Sequence, residues 1–339
     1  VIFRSKEKTL SATFFDSYRD DQNVCFAVHL MMDMERAYNE QPNYVFHKEQ
    51  IKRMEGVVNG AAGKTLGFVA FDPRRDNWKE IIEYGLNRGN CGIKLYAPMG
   101  YLPIGNTPTH DARLMELYHY CNNENLPIML HCTPVGFEAK KGFGVKSDPE
   151  LWDTVLETIP SLKICFGHAG GGGDENYEPG GGSEKVPYPG WFAANDTDWN
   201  SSKNFARKTV DRCIKHENVF CDLSYLHDAM YDDDVREQLR SRLIEAVSRN
   251  DGPFNFADKF MYGSDWHMPH MALQTSKYLD MMIDIFDIAE LSPHKEKFFY
   301  KNAQRFLGLQ GYVDRQKFSG HSHIDDDVIH YVETVAGYD

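Results

Sequence analysis

The chain has 339 residues, 42% hydrophobic and 13% aromatic, which is enough apolar material for one large domain or two smaller ones. No stretch approaches the ~18 consecutive apolar residues of a membrane span, and the composition argues against a disordered, fibrous or membrane-embedded protein. The 37 Lys and Arg against 50 Asp and Glu give a net charge of −13, which would repel a phosphate backbone, so we expect no nucleic-acid partner.

The cysteines and the first residues bear on the cellular compartment. Seven cysteines are scattered along the chain, and no two are spaced as CxxC. This pattern favours reduced thiols over a disulfide framework or a zinc finger, so we expect a cytoplasmic location. The opening VIFRSKEKTL lacks the apolar core and cleavage site of a signal peptide. Val1 is not an initiator methionine, which favours a sequence that begins inside a longer chain.

Short apolar runs rich in β-branched and aromatic residues predict strands. They span 23–30, 65–73, 91–98, 126–132, 162–170, 218–225 and 259–267. The stretches between them, such as WKEIIEYGLN and VREQLRSRLIEAVSR, have the apolar spacing of amphipathic helices. Strands that alternate with helices in this way predict a parallel sheet covered by helices, either doubly wound or closed into a barrel.

Two segments interrupt the alternation. Residues 170–200 are rich in Gly, Pro and aromatic residues, which predicts a long loop that acts as a lid, with Trp191 as a substrate contact. Residues 311–339 predict an extension that packs on the domain or trails from it. We therefore expect a barrel domain over 1–310 and a C-terminal extension over 311–339.

Polar residues stand at the end of most predicted strands. Among them, His131, His168 and Asp265 are ligand types for zinc-like ions. A single histidine at a strand end is more often structural, and a single aspartate can cap a helix. In a parallel barrel, however, the carboxyl ends of all strands meet at one face. The three residues together therefore favour a metal site or an acid–base site.

The motifs GIKLYAPMGYLPIGN, PIMLHC, ICFGHAGG, NVFCDLSY, YGSDWHMP and NAQRFLGL occur in this order. Together they resemble the metal-dependent amidohydrolase superfamily, in its amidohydrolase 2 branch, which also contains metal-dependent decarboxylases. The resemblance covers about residues 20–310. It implies a (β/α)8 TIM barrel with one or two divalent metal ions at the carboxyl face. It also implies that His131 is the fifth-strand metal ligand, Asp265 the eighth-strand aspartate, and His168 the sixth-strand histidine, either a ligand or a water-activating residue.

One strand of that barrel has no counterpart in the sequence. The family's first strand ends in a His-x-His pair that supplies two metal ligands, and no such strand precedes residues 23–30. Either the strand lies upstream of Val1, or the protein has lost part of its site. His321 and His323 also form a His-x-His sequence, but their polar surroundings favour a solvated tail.

Further residues are candidates for substrate binding. Lys94 stands where some superfamily members carry a carboxylated lysine. Here we expect Lys94 either to contact the substrate or to support the residues that do. Tyr96 follows Lys94, and His267 comes directly after the Asp265–Trp266 pair. With Trp191, these residues form the predicted substrate contacts. Asp222 is expected to anchor loops or orient a ligand histidine, and His29 is a secondary candidate.

These observations predict a metal-dependent hydrolase that acts on a small organic molecule. One divalent ion, zinc in the first place and manganese or magnesium as alternatives, would lower the pKa of its bound water. Asp265 would accept a proton from that water, and His168 would orient the water or stabilise the negative charge that develops on the substrate. A metal-dependent non-oxidative decarboxylase is the alternative, and a metal-free binding protein on the same barrel is the second alternative. The substrate and a homo-oligomeric state stay open.

Overall fold

The computed structural model describes residues 7–34, 46–174, 188–266, 274–318 and 323–337. Its centre is a seven-stranded parallel sheet in which the strands follow chain order. The strands are β1 (Ala27–Leu30), β2 (Thr65–Ala70), β3 (Asn90–Leu95), β4 (Ile128–His131), β5 (Ile164–Gly167), β6 (Val219–Leu223) and β7 (Phe260–Tyr262).

Helices connect these strands and cover the sheet. In the described ranges they are α1 (Glu7–Asp16), α2 (Phe46–Gly60), α3 (Trp78–Leu86), α4 (Pro108–Asn123), α5 (Asp153–Thr158), α6 (Asp196–Trp199), α7 (Phe205–Lys215), α8 (Asp233–Ser248), α9 (Thr275–Ile285), α10 (Asn302–Leu307), α11 (Leu309–Phe318) and α12 (Asp326–Ala336). None of the helices in these ranges combines the length and apolar character needed to cross a bilayer.

The burial of the strands explains why they appear in the sequence as nearly continuous apolar runs. Every residue of β2 to β6 is buried, as expected for strands that are covered on both faces. The residues of β1 are only partly covered. Within the described residues, β1 and β7 are the two edges of the sheet and do not pair with each other. The predicted α/β architecture is therefore confirmed with seven parallel strands, whereas the described residues contain no eighth strand that closes the barrel.

The motif NAQRFLGL fastens α10 to the last strand. The side-chain amide of Asn302 is buried and donates hydrogen bonds to the carbonyls of Ala257 (3.0 Å) and Phe260 (2.7 Å). Gly308 ends the helix with φ of 59°, a left-handed conformation that glycine adopts without a steric penalty. The motif thus has a structural role, because its hydrogen bonds hold the residues around β7 in place.

The described flanks of the predicted lid belong to the core. Trp191 and Trp199 are fully buried, with ring centroids 5.3 Å apart. The indole nitrogen of Trp191 donates to the carbonyl of Ala169 at 2.8 Å. This burial corrects the prediction that Trp191 contacts substrate from a loose loop, because its apolar ring is used for packing. The middle of the predicted lid, residues 175–187, lies outside the described residues.

The C-terminal region is part of the same core. Val328 and Val332 of α12 are fully buried and belong to the hydrophobic cluster that includes the sheet. The hydroxyl of Tyr331 donates to the carbonyl of Cys25, just before β1 (2.5 Å). His323 lies 3.0 Å from the Arg88 guanidinium, before β3, so it does not join the strand-end histidines. The described part of 311–339 therefore covers the amino-terminal end of the sheet and does not trail from it.

Candidate active site at the carboxyl ends of the strands

The strand register places the polar strand ends beside one another. Lys94 of β3 is level with Met129 of β4, and His131, two residues further along β4, is level with Gly167 of β5. Residues two apart on a strand point to the same face, so Lys94 and His131 share a face of the sheet. The site is therefore built at the carboxyl end of the sheet, where the sequence predicted it.

His131 is the most enclosed of these residues. Its ring stacks on Tyr96, with centroids 4.2 Å apart, and meets His168 edge to face at 4.9 Å. Its Nε2 atom is buried and has no hydrogen-bond partner among the residues that the structure describes. Burial holds the pKa of His131 well below its usual range, and the neighbouring His168 and Lys94 lower it further. His131 is therefore neutral at pH 7, and neutral imidazole is the form that binds metals.

His168 is held by residues at the carboxyl end of β6. Its backbone nitrogen donates to Oδ1 of Asp222 at 3.1 Å, and its Nδ1 lies 2.8 Å from the hydroxyl of Ser224. The same Asp222 oxygen accepts from the backbone nitrogen of Ser224 at 3.1 Å. Because Nδ1 is engaged by Ser224, Nε2 is the ring nitrogen that can face a ligand. This geometry agrees with the expectation that Asp222 anchors loops around a site histidine.

Two glycines allow close packing beside the site. A Cβ atom on Gly263 would lie 2.8 Å from Oδ1 of Asp222, and one on Gly167 would lie 2.6 Å from the carbonyl oxygen of Leu130. Neither position tolerates a larger residue without movement of the backbone or the carboxylate. Gly263 of YGSDW is therefore required by close packing on Asp222, and Gly167 of FGHAGG by close packing on the backbone of β4.

Lys94 is a buried cation beneath the histidines. Burial lowers its pKa to about 8, against the opposing effect of the Asp222 and Asp265 carboxylates. The ammonium nitrogen lies 5.9 Å from the centroid of the Tyr96 ring. The hydroxyl of Tyr96 donates to the carbonyl of Phe137 at 3.0 Å, and burial raises the pKa of Tyr96. A lysine with this pKa changes charge near neutral pH, which suits an anion-binding group.

Asp265 completes this group of residues from the turn after β7. It is partly exposed, and its charge affects the pKa values of Lys94, Tyr96 and Tyr225. The next residue is anchored through its side chain, because the indole nitrogen of Trp266 donates to the hydroxyl of Ser17 at 2.8 Å. His267 lies outside the described residues.

Backbone strain is concentrated at the same place. His168, Tyr225 and Asp265 follow β5, β6 and β7 and have φ values of 63°, 62° and 50°. Side chains other than glycine seldom adopt this left-handed region, and strained residues tend to cluster at functional sites. The strain therefore supports the same location independently of residue chemistry.

The sequence reasoning missed two buried ion pairs after β1 and β2. Nη2 of Arg75 donates to Oδ1 of Asp33 at 2.8 Å, and both residues are almost fully buried. Arg74 binds the buried Asp72, with Nε 2.8 Å from Oδ1. In the sequence, both pairs are marked by an acidic residue shortly after an apolar strand, which is the pattern that identified Asp265 as a candidate. His29 is exposed on β1.

The described side chains fit a metal ion only in part. The buried, unpartnered Nε2 of His131 beside His168 is the arrangement expected of two imidazole ligands. Across the ranges that the structure describes, however, no three His, Cys, Asp or Glu side chains come close enough to hold an ion. A metal at this position would need further ligands or a movement of Asp265.

A parallel α/β sheet with titratable residues gathered at its carboxyl end is the arrangement of barrel enzymes that build their sites from strand ends and the loops that follow them. The family model described as Amidohydrolase matches residues 33–309, and the chain belongs to this family. The prediction made from the motifs is thereby confirmed at the level of the family.

Among solved structures, the chain is similar to an uncharacterized TIM-barrel protein, Bb4693, from Bordetella bronchiseptica. The two are 15% identical with a TM-score of 0.48, over 76% of this chain and 72% of that one. No curated protein sequence matches the chain.

Proposed function

We propose that the protein is a hydrolase of the amidohydrolase type that acts on a small organic molecule. The observation that carries this proposal is the pair of imidazoles at adjacent strand ends, with ring centroids 4.9 Å apart, in which the buried Nε2 of His131 has no hydrogen-bond partner within the described ranges. Burial of a polar atom is unfavourable unless it is hydrogen-bonded or binds a ligand. An unpartnered imidazole nitrogen at the carboxyl end of a parallel sheet is therefore best explained by a ligand.

We propose that this ligand is one divalent metal ion. His131 and His168 would hold it, with Asp265 as a third ligand, and the mixture of imidazole and carboxylate favours zinc over manganese or magnesium. The chemistry that such an ion supplies is a pKa near neutrality for its bound water.

The chain's own residues have distinct roles in this scheme. Asp265 accepts a proton from the attacking water, as a carboxylate in a general base role. Ser224 holds Nδ1 of His168, which orients the ring so that Nε2 faces the reacting group. Asp222 keeps the turn of His168 in its left-handed conformation through the backbone hydrogen bond. Tyr96 supports the His131 ring by stacking.

A non-oxidative decarboxylase is the second candidate, and Lys94 favours it. Its ammonium is buried at the floor of the site, and a buried cation is stabilised by an anionic partner. A carboxylate of the substrate would be such a partner. In this scheme Lys94 holds the carboxylate, and a neighbouring acid delivers a proton to the carbon that loses carbon dioxide.

The test combines metal analysis with a substrate screen. Purified protein should contain about one divalent ion per chain after supplementation. His131→Ala should lose it, whereas the control His294→Ala, at a histidine close to Asp258 before β7, should keep it. A screen of amides, esters, lactones and carboxylic acids should follow acid release and carbon dioxide release separately. Acid release supports the hydrolase, and carbon dioxide release supports the decarboxylase. Less than a tenth of an equivalent of metal with no turnover would instead favour a metal-free binding protein.

A further inference from the structure

Tyr225 has an unusual combination of backbone strain and exposure. It follows β6 with φ of 62°, and 43% of its surface is exposed. Glycine adopts this conformation without strain, whereas a residue with a large side chain does so only when its surroundings force it. The tyrosine side chain must therefore have a role at this position that a glycine, which has no side chain, could not fill.

The surrounding structure holds this turn from both sides without help from the Tyr225 ring. The hydroxyl of Tyr278 is fully buried, donates to the carbonyl of Leu223 at 2.8 Å, and accepts from the backbone nitrogen of Leu226 at 3.2 Å. On the other side, Asp222 accepts from the backbone nitrogen of Ser224. The conformation of the turn is thus set by Tyr278 and Asp222, and the Tyr225 side chain is free to serve another purpose.

The Tyr225 ring lies at the mouth of the candidate site. It meets the His227 ring edge to face, with centroids 4.6 Å apart, and reaches the His168 ring at 6.3 Å. Partial burial raises the pKa of Tyr225, and the nearby Asp265 carboxylate raises it further. The ring therefore lies beside His168 and near Asp265, two residues that the proposed reaction uses, while much of its surface faces outward.

We propose that Tyr225 is a specificity-determining residue whose ring forms one wall of the substrate site. The proposal rests on the proposed function, because it assigns the ring to the substrate of that site. The contact is made by the face of the ring, since an exposed aromatic face buries apolar or planar groups at little cost in conformational entropy. A purely structural tyrosine that covers His227 is the competing explanation, and it predicts a loss of stability instead of a loss of substrate binding.

The experiment compares Tyr225→Phe, Tyr225→Ala and Tyr225→Gly with the control Ala62→Gly. Ala62 also has a positive φ, 47°, but lies before β2 at the opposite end of the sheet. For the substrate found in the screen, Tyr225→Phe should keep KM within about twofold. Tyr225→Ala and Tyr225→Gly should raise KM about tenfold or more with a smaller change in kcat, and Ala62→Gly should leave KM unchanged.

Thermal unfolding of the same variants separates strain from packing. Tyr225→Gly should unfold at a higher temperature than Tyr225→Ala, because glycine relieves the positive φ while both variants lack the ring. A KM for Tyr225→Ala within twofold of the original, or equal losses for the Phe and Ala variants, would overturn the ring contact. If the protein turns over no substrate, the proposed function fails, and the unfolding temperatures alone test the strain argument. A lower unfolding temperature for Tyr225→Gly than for Tyr225→Ala overturns that argument, and a higher one supports it.

Discussion

The two ends of the parallel sheet differ in the kind of residue that each tolerates. At the amino-terminal end, the non-glycine residues with positive φ are Asn23, Ala62 and Asn125, which are small or of the type that accepts this region, and α12 covers the surface with buried valines. At the carboxyl end, the described non-glycine residues with positive φ are His168, Ala169, Tyr225 and Asp265. Histidine and aspartate also accept this region, so the bulky Tyr225 is the residue that sets this end apart.

The difference shows what each end is selected for. The amino-terminal end is closely packed. For example, a Cβ atom added to Gly63 would lie 2.8 Å from the carbonyl oxygen of Val328. The carboxyl end keeps a buried cation, an unpartnered imidazole nitrogen and several strained residues, each of which lowers stability. Buried polar groups also occur at the amino-terminal end, such as Lys259 directly before β7. What distinguishes the carboxyl end is that the buried His131 and Lys94 lie beside His168, a residue with positive φ, which favours function at that end.

The largest effect on activity should come from Asp265→Asn. The substitution removes the proton acceptor and nearly preserves shape, so turnover should fall by about 10² to 10⁴. Steady-state kinetics and metal content must be measured on the same sample, because loss of a metal ligand would imitate loss of a base. Asp232→Asn, at the N-cap of α8, is the control and should retain turnover. A folded Asp265→Asn protein with its metal and near-original turnover would show that Asp265 is not the base.

Asp222→Ala should disturb both stability and the site. It leaves the backbone nitrogens of His168 and Ser224 without their acceptor, which should cost about 3 kcal/mol in the free energy of unfolding. Asp222→Asn keeps an acceptor oxygen and should recover more than half of that loss. Chemical denaturation measures both variants. Equal stability of the Ala variant and the original protein would refute the role of Asp222 in holding the turn.

Val332→Ala tests the opposite end of the sheet. The substitution removes two methyl groups from a fully buried position in α12, and we expect a loss of about 2 kcal/mol in the free energy of unfolding. KM and kcat should stay at their original values, because α12 lies at the far end from the site. A change in KM of more than threefold would contradict the separation of the two ends.

The pH dependence of substrate binding should report on Lys94. Burial lowers its pKa to about 8, so the ammonium is charged below that pH and neutral above it. KM for a carboxylate substrate should therefore rise about tenfold per pH unit above pH 8, as the bound anion loses its cation. In Lys94→Met the rise should disappear, with a high KM at every pH. An unchanged rise in Lys94→Met would assign the titration to another group.

Much of the fold and part of the site were predictable because they depend on local patterns. Apolar runs that alternate with amphipathic helices predicted the parallel sheet, and the strand-end positions of His131, His168 and Lys94 predicted which end carries the site. Trp191 was misassigned, because a segment rich in glycine and proline resembles a loose loop until its aromatic rings are seen in the core. The buried pair Asp33–Arg75 was missed, because its residues are 42 positions apart and meet only after β1 and β2 are aligned. The local pair Asp72–Arg74 was missed, because the burial of Asp72 depends on the tertiary fold.

The sequence by itself determined the alternation of elements, the family, and the residue types at the strand ends, since these follow from hydrophobic periodicity and short motifs. Only the tertiary structure decided that Ser224 engages His168, that Tyr278 and Asp222 hold the turn at Tyr225, and that α12 closes the amino-terminal end. The reason is physical. The contacts of Ser224 with His168 and of Tyr278 with Leu223 join residues 56 and 55 positions apart, so they depend on sheet register and side-chain direction, which no local stretch of sequence encodes.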